Sequence, residues 1–344
     1  MIDLRSDTLT QPSHEMLESI LSSPLGDAGR LDENGRGGDP TVNELEDCAS
    51  ALVHKEAAAF ACSGTMGNSI ALMTCCRPGD QVLVDKQQHL YHTEQFSMTS
   101  RFGQLIPVFY ESDERGLPIP ESVEACVEKG GIKVLVIENT LNAYGGVAIP
   151  LELQKRLYEI AHRYGVWVHL DGARLFNAAI ALNVEAWEIA QYADSVMFCV
   201  SKGIGAPFGS LVCGSGDFIK EARVTQKYLG GGLRQAGIMA APALYALRNQ
   251  IPRMKEDHEH ARFVAKALSG LSHVRPQEQV DSNIVMLHMV DYKASDYCAL
   301  IKERGIFAGA PDESKVRLVF YKGIGDEDCE EAVRIIRDLD KELG

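Results

Sequence analysis

The chain has 344 residues, 45% of them hydrophobic and 24% charged, with a formal net charge of -14. Such a length can bury one large hydrophobic core and a smaller second one, as globular chains of this composition do. The acidic balance, with no basic tract to offset it, speaks against nucleic acid or an anionic membrane as partner, and no stretch has the ~18 apolar residues of a spanning helix.

Residues 1–44 lack regular periodicity and read as an N-terminal arm and loop packed on the rest of the chain. The start, Met1-Ile-Asp3-Leu-Arg5, lacks the apolar stretch of a secretory signal, so the expected compartment is the cytoplasm. Nine cysteines, several inside apolar runs (Cys62, Cys199, Cys213), read as reduced core thiols. The adjacent pair Cys75-Cys76 is not metal-ligand spacing, and no metal site is expected.

From residue 57 to 213, short apolar runs alternate with helix-like segments. The runs are 57–62, 81–85, 105–110, 133–138, 166–170, 196–200 and 210–213. Most show no polar alternation, the mark of strands covered on both faces. This pattern predicts an α/β fold, a mostly parallel seven-stranded sheet with helices on both sides. Only Ser201–Gly209 separates the last two runs, too short for a parallel crossover, so the final strand should run antiparallel. After Gly230-Gly-Gly232 a helical stretch, roughly 235–271, leads to a smaller C-terminal α/β part. Strands near 283–288 and 316–321, and a terminal helix with Ala332, Val333, Ile336 and Leu339 on one face, complete it. The expected division is an arm and active-site loop over 1–44, a large domain over 45–245 and a small domain over 246–344.

Lys202, in Val200-Ser-Lys202-Gly203, follows the sixth apolar run directly. Ligands of open α/β sheets collect outside the carboxyl ends of the strands, where a lysine can hold a Schiff base to a carbonyl cofactor. Alone, it reads more readily as a strand-end surface lysine, and its strand context and partners reverse that. Asp171 ends the fifth run; there it serves either as a helix cap or as the carboxylate that keeps a cofactor ring nitrogen protonated. Arg174, three residues on, is either solvated on a helix or a planar fork for a carboxylate. Gly64 and Thr65 follow the first run and open a helix, whose free N–H groups suit a phosphate. His89 and His92 lie after the second run, and His89, nearer the strand end, is the candidate for stacking on the ring or moving protons. Together these residues read as a pyridoxal 5'-phosphate site.

Along nearly its whole length the chain resembles the L-threonine aldolase and β-eliminating lyase group of fold-type-I pyridoxal phosphate enzymes. The matching motifs include Asp3-Leu-Arg-Ser6-Asp7-Thr8, Asp39-Pro-Thr-Val-Asn-Glu44, Ser63-Gly-Thr-Met66, Glu138-Asn-Thr140, His169-Leu-Asp-Gly-Ala-Arg174, Ser201-Lys-Gly203, Gly230-Gly-Gly-Leu-Arg-Gln235 and Val316-Arg-Leu-Val319. The resemblance implies that Ser6, Arg174 and Arg317 bind the substrate carboxylate, that His89 stacks on the ring, and that Gly64 and Thr65 hold phosphate. It implies that Lys227 and Arg234 lie near the cofactor at a subunit interface, in a homodimer or homotetramer with shared active sites. The implied reaction is cleavage of a β-hydroxy-α-amino acid to glycine and an aldehyde. β-Elimination or racemisation on the same fold, and a non-catalytic binding protein, are the alternatives.

Two departures bear on the chemistry. The family commonly carries a histidine where this chain has Leu141, which cannot exchange a proton; His89, His92, Tyr144 or a water are the substitutes considered. The family's short Gly-Asp-Asp-x-Tyr-Gly loop is replaced by Gly26–Asp39, about six residues longer and without the tyrosine. Leu141 either retunes substrate preference or changes the reaction, since a fold fixes neither. On the new loop, Arg30 and Arg36 either meet an anionic substrate side chain or are simply solvated.

Overall fold

A computed structural model describes residues Met1–Gly344. Its large sheet contains β1 (Ala57–Ala61), β2 (Gln81–Val84), β3 (Ile106–Phe109), β4 (Ile132–Glu138), β5 (Trp167–Gly172), β6 (Ser195–Cys199) and β7 (Ser210–Gly214). The strands are ordered β1-β7-β6-β5-β4-β2-β3. β7 pairs antiparallel with both β1 and β6, and the remaining pairs are parallel. All seven predicted runs are strands and the short last connection does reverse the chain. Gly209, at φ +97, lies where a Cβ would meet the Phe60 ring at 2.3 Å, so the turn into β7 needs a residue without a side chain.

Burial explains why the strands read as continuous apolar runs. Every residue of β6 and β7 is buried, with helices on both sides. The largest apolar cluster joins Leu135, Ile137, Val168, Leu170, Phe198 and Leu211 to Leu157 and Ile160 of the helix Leu151–Arg163. Each such side chain contributes about 1.5–3 kcal/mol when fully buried. Gly165, at φ +68, follows that helix as the predicted stop.

The second cluster lies under a four-stranded antiparallel sheet of Val274–Pro276, Ile284–Met289, Lys315–Val319 and Gly309–Asp312. Ala332, Val333, Ile336 and Leu339 of the terminal helix Asp326–Leu343 pack into it as their spacing predicts.

Two local expectations change. The stretch 235–271 is two helices, Gly237–Asn249 and Met254–Ala267, because Pro252 supplies no N–H and turns the residue before it away from helix. The first 44 residues are not irregular: they hold the helix His14–Ser22, capped by Ser13, and a ribbon of Asp27–Leu31 against Gly37–Gly38. The arm is also tied to the C-terminal part of the chain. Ile2–Asp3 pairs parallel with Ile306–Phe307, Leu4 is fully buried in the second cluster, and the Tyr321 hydroxyl donates to the Asp3 carbonyl at 2.8 Å. This tether carries Ser6 and Asp7 over the ends of the large sheet.

Candidate active site

Ser6, His89, Asp171, Arg174, Lys202 and Arg317 line a single cavity of about 260 Å³, with Glu138, Thr140 and Asn142 completing its wall. Its side chains come from the carboxyl ends of β4 and β5, the turns after β2 and β6, the arm, and the strand Lys315–Val319. A larger hollow of about 810 Å³, between 253–263 and 322–330, holds none of these residues, and Glu256, Asp257, Glu259, Asp326 and Glu330 are among those that line it.

Lys202 sits three residues beyond β6, and its charge reaches Asp7, Asp171 and Cys199. Asp171, at 1% exposure, is the buried acid next to it. Burial raises its pKa, the Glu94 charge adds to that, and Lys202 and His89 oppose it. Asn68 fixes the arrangement: its side-chain N–H groups donate to Asp171 Oδ2 at 3.0 Å and to Glu94 at 3.2 Å. Its Oδ1 must then accept from His169 Nε2 at 3.2 Å, leaving His169 Nδ1 to accept from Ser195 Oγ at 2.9 Å. Burial pulls the His169 pKa down to about 4, so this ring is a neutral strut behind Asp171.

His89 is placed by an uncommon turn. Residues Leu90–Glu94 are wound as a single π-helical turn, which brings Glu94 back to a ring five positions earlier. His89 Nδ1 lies 3.0 Å from Glu94 Oε1 and donates to it when protonated there; this bond raises the imidazole pKa, against burial. His92, the other candidate in this segment, is exposed and does not line the cavity.

At the opposite wall Arg174 has much of its fork occupied. Its Nε and Nη2 each donate to Asp7 at 2.8 Å, and Nη1 donates to Asn142 Oδ1 at 3.0 Å. Arg317 is far less well partnered. It reaches Asn142 Oδ1 at 3.3 Å and the Arg5 carbonyl at 3.5 Å, and its buried Nε has no partner. Burial, then the Arg174 charge, lower its pKa. Two adjacent guanidiniums that share the Asn142 Oδ1, with a bonded carboxylate on only one of them, leave a place for an anion.

Glu138 ends β4. Its Oε2 accepts from the His89 N–H at 2.9 Å and its Oε1 from the Asn142 N–H at 2.8 Å. Burial and then the Asp171 charge push its pKa up to about 7. Leu141 is buried in the core and does not line this cavity, though it borders a small pocket that Glu138 shares, while the Tyr144 hydroxyl donates to Asp85 at 3.2 Å.

Four candidates lie outside the cavity in this chain. Gly64 and Thr65 open the helix Gly64–Cys75, with Ser63 Oγ accepting from the Met66 N–H. They adjoin the lysine's strand, since a Cβ at Gly64 would meet Cys199 Sγ at 2.8 Å. Lys227 and Arg234 stand elsewhere, beside the 27–38 ribbon: Arg234 pairs with Asp27 at 2.9 Å, and Lys227 shares a pocket with Gly29 and Leu31. Arg36 is engaged by Asp47 at 2.6 Å and by the Asn43 carbonyl, so it is not free for a substrate; Arg30 is exposed. Sequence reading assigned no role to Asp7, Asn68, Glu94, Glu138 or Asn142. Only Glu138 carried a signal, as the charged last residue of an apolar run.

A mostly parallel α/β sheet with a lysine and a buried carboxylate at neighbouring strand ends, and an antiparallel strand between them and β1, is a fold-type-I pyridoxal phosphate enzyme architecture. The sequence pattern of the β-eliminating lyase family matches residues 3–291, and the chain belongs to that family. It is 37% identical over 338 residues to the low specificity L-threonine aldolase of Escherichia coli K12, covering 96% of this chain and 97% of the relative. To low-specificity L-threonine aldolase 1 of Arabidopsis thaliana it is 36% identical, over 95% and 93% of the two chains. Among solved structures, a putative L-allo-threonine aldolase of Listeria monocytogenes shares the fold at TM-score 0.80 and 23% identity, over 98% and 96%. The Leishmania major threonine aldolase does so at TM-score 0.82 and 16% identity, over 99% and 100%.

Proposed function

We propose that this lyase uses pyridoxal 5'-phosphate to cleave a β-hydroxy-α-amino acid of the threonine or allo-threonine type to glycine and an aldehyde. The observation that carries the reading is the shared cavity, with Lys202 and Asp171 on one side and the under-partnered Arg317 beside Arg174 on the other. The donor set fits the cofactor: an amine for its aldehyde, a buried carboxylate for its ring nitrogen, an imidazole for its face, and unpaired helix-start N–H groups at Gly64 and Thr65 for its phosphate. When bound, that group supplies an electron sink for the pair released at the substrate α-carbon.

The chain's own residues do the rest. Asp171, anchored by Asn68, would hold the ring-nitrogen proton, and Lys202 would hold the cofactor through its aldehyde. Arg317, with Ser6 and the remaining N–H groups of Arg174, clamps the substrate carboxylate. Clamping matters because the bond that breaks must stand perpendicular to the conjugated ring. His89, steadied by Glu94, covers the ring face.

Lys227 and Arg234 act at the site of a neighbouring subunit in a homodimer or homotetramer. The arm (1–44), large domain (45–245) and small domain (246–344) meet at the cavity. No helix of the structure is long and apolar enough to cross a membrane. All nine cysteines are unpaired, which suits the cytoplasm we assign.

The test is product identification with the cofactor-loaded protein. Glycine and aldehyde in equal amounts from threonine or allo-threonine support the reading; pyruvate with ammonia, or α-proton exchange alone, would replace it. Lys202→Ala should abolish both the visible absorption of the bound cofactor and turnover.

A further inference from the structure

We infer that Glu138 accepts the β-hydroxyl proton of the substrate, the work for which the family resemblance would look to a histidine at Leu141. This rests on the retro-aldol reading above.

The alternatives are removed by position or by another task. Leu141 is apolar, buried, and does not line the cavity. Tyr144 has its hydroxyl on Asp85, His92 is exposed outside the cavity, and Asp7 is bound by Arg174. His89 is in the cavity with Nδ1 on the buried Glu94 and Nε2 open, but the reading above commits its ring to the cofactor face. Asp171, with Asn68 on one oxygen and the Ala173 N–H on the other, is committed to the cofactor ring nitrogen in the reading above.

Glu138 has both capacity and place. Its two oxygens accept one backbone N–H each, and a carboxylate has about four lone-pair sites, so acceptor capacity remains on both. The backbone donors fix the carboxyl as a rigid acceptor. One is the N–H of Asn142, whose side chain touches both Arg174 and Arg317. The carboxylate of a β-hydroxy amino acid held there is separated from its β-oxygen by only two carbons. The β-hydroxyl therefore falls between the arginine end and His89, along the wall that Glu138 occupies.

The same carboxyl also borders a second, closed pocket lined by Asp85, Gln88, Tyr110, Leu141 and Tyr144. The charged or titratable groups that line the two pockets with it are Asp85, Tyr110, Tyr144, His89, Asp171, Arg174, Lys202 and Arg317. Burial and Asp171 hold its pKa up at about 7, where it gains and loses a proton readily.

The step balances. The Glu138 carboxylate takes the O–H proton, the O–H pair becomes the second bond of the aldehyde carbonyl, and the Cα–Cβ pair stays with Cα and its sink. Cα then takes one proton from solvent to give glycine, and Glu138 releases its own.

The experiment compares cofactor-loaded wild type with Glu138→Gln in two reactions: cleavage of threonine or allo-threonine, and exchange of the glycine α-proton in heavy water. Exchange needs no β-hydroxyl. Loss of a general base should lower cleavage kcat by about 10²–10⁴-fold and leave glycine exchange within about threefold. Infrared difference spectra should show a carboxylic-acid band titrating near neutral pH in wild type and missing from the variant. Cleavage within about tenfold of wild type, or cleavage and exchange falling together, would overturn the inference. If Glu138→Gln does not fold, Glu138→Asp, which withdraws the carboxyl by one methylene, is judged by the same two ratios. Wild type that yields no aldehyde from any β-hydroxy amino acid would overturn the retro-aldol reading and this inference together; a wild-type cleavage rate kept by the variant removes Glu138 alone.

Discussion

Asp7 and Arg174 are joined side-on, two guanidinium nitrogens each 2.8 Å from a carboxylate oxygen, with both side chains buried. The pair ties the arm to the end of β5, 167 positions away in sequence. Burial opposes the Asp7 charge, but Arg174 and then Lys202 hold its pKa below the ordinary range. Asp7→Asn leaves a buried cation uncompensated, which should cost about 3–5 kcal/mol in urea unfolding at neutral pH. Because the folded pKa is depressed, this contribution is present above the unfolded value and fades as pH falls through the folded one. A loss below about 1 kcal/mol would show that the arm is held without the pair.

Arg317 should respond in binding more than in folding, because its guanidinium has little else to hold. A hydrogen bond to a charged group is worth about 1.5–3 kcal/mol, so Arg317→Leu should raise KM for the amino acid about 10–150-fold. Cofactor affinity, followed by absorption during titration, should stay within about threefold, since no interaction with the cofactor is assigned to this residue. An unchanged KM would move the carboxylate site elsewhere in the cavity.

The sheet was legible because its strands are covered on both faces, so each appears as an unbroken apolar run, and the charged residue at a run's end stands out. That is how Lys202 and Asp171 emerge from sequence. The short link from 201 to 209 left only a reversal for β7. What escaped has no local signal. In the helix His14–Ser22 only Met16 is fully buried, so its periodicity is faint. The π-helical turn sets His89 against Glu94 at a spacing of five, which matches neither a helix nor a strand pattern. Asp7 and Asn142 acquire their roles from arginines far along the chain. Lys227 and Arg234 lie away from Lys202 in one chain, and their implied role requires a second subunit.

The bond from His89 to Glu94 should be visible in the titration of the ring. Its folded pKa is raised chiefly by that hydrogen bond, against burial, so Glu94→Gln should bring the imidazole pKa down to or below its ordinary value near 6.5. Nuclear magnetic resonance of the His89 ring protons reads this directly. In wild type the raised pKa means that the stabilisation is complete below pH 6.5 and disappears as pH rises through the folded value; Glu94→Gln removes that dependence. An unshifted ring would mean that Glu94 does not carry the charge assigned to it.

Acid should weaken the fold above the ordinary carboxylate range, through two histidines buried in neutral form. Burial lowers His169 to about 4 and His258 to about 3. His258 Nε2 meets the Asn177 side-chain amide at 3.1 Å, while its Nδ1 is buried without a partner. Unfolded, both rings take a proton near pH 6.5; folded, they refuse it until much lower pH. The unfolded state therefore binds more protons between those values, and stability falls on acidification by up to about 1.4 kcal/mol per pH unit for each ring. His258→Gln keeps an acceptor for Asn177 and removes one of the two titrations. Urea unfolding should show the variant losing about 0.7 kcal/mol less than wild type from pH 7 to 6 and about 1.2 kcal/mol less from pH 6 to 5, and parallel curves would mean that His258 is already protonated in the folded chain.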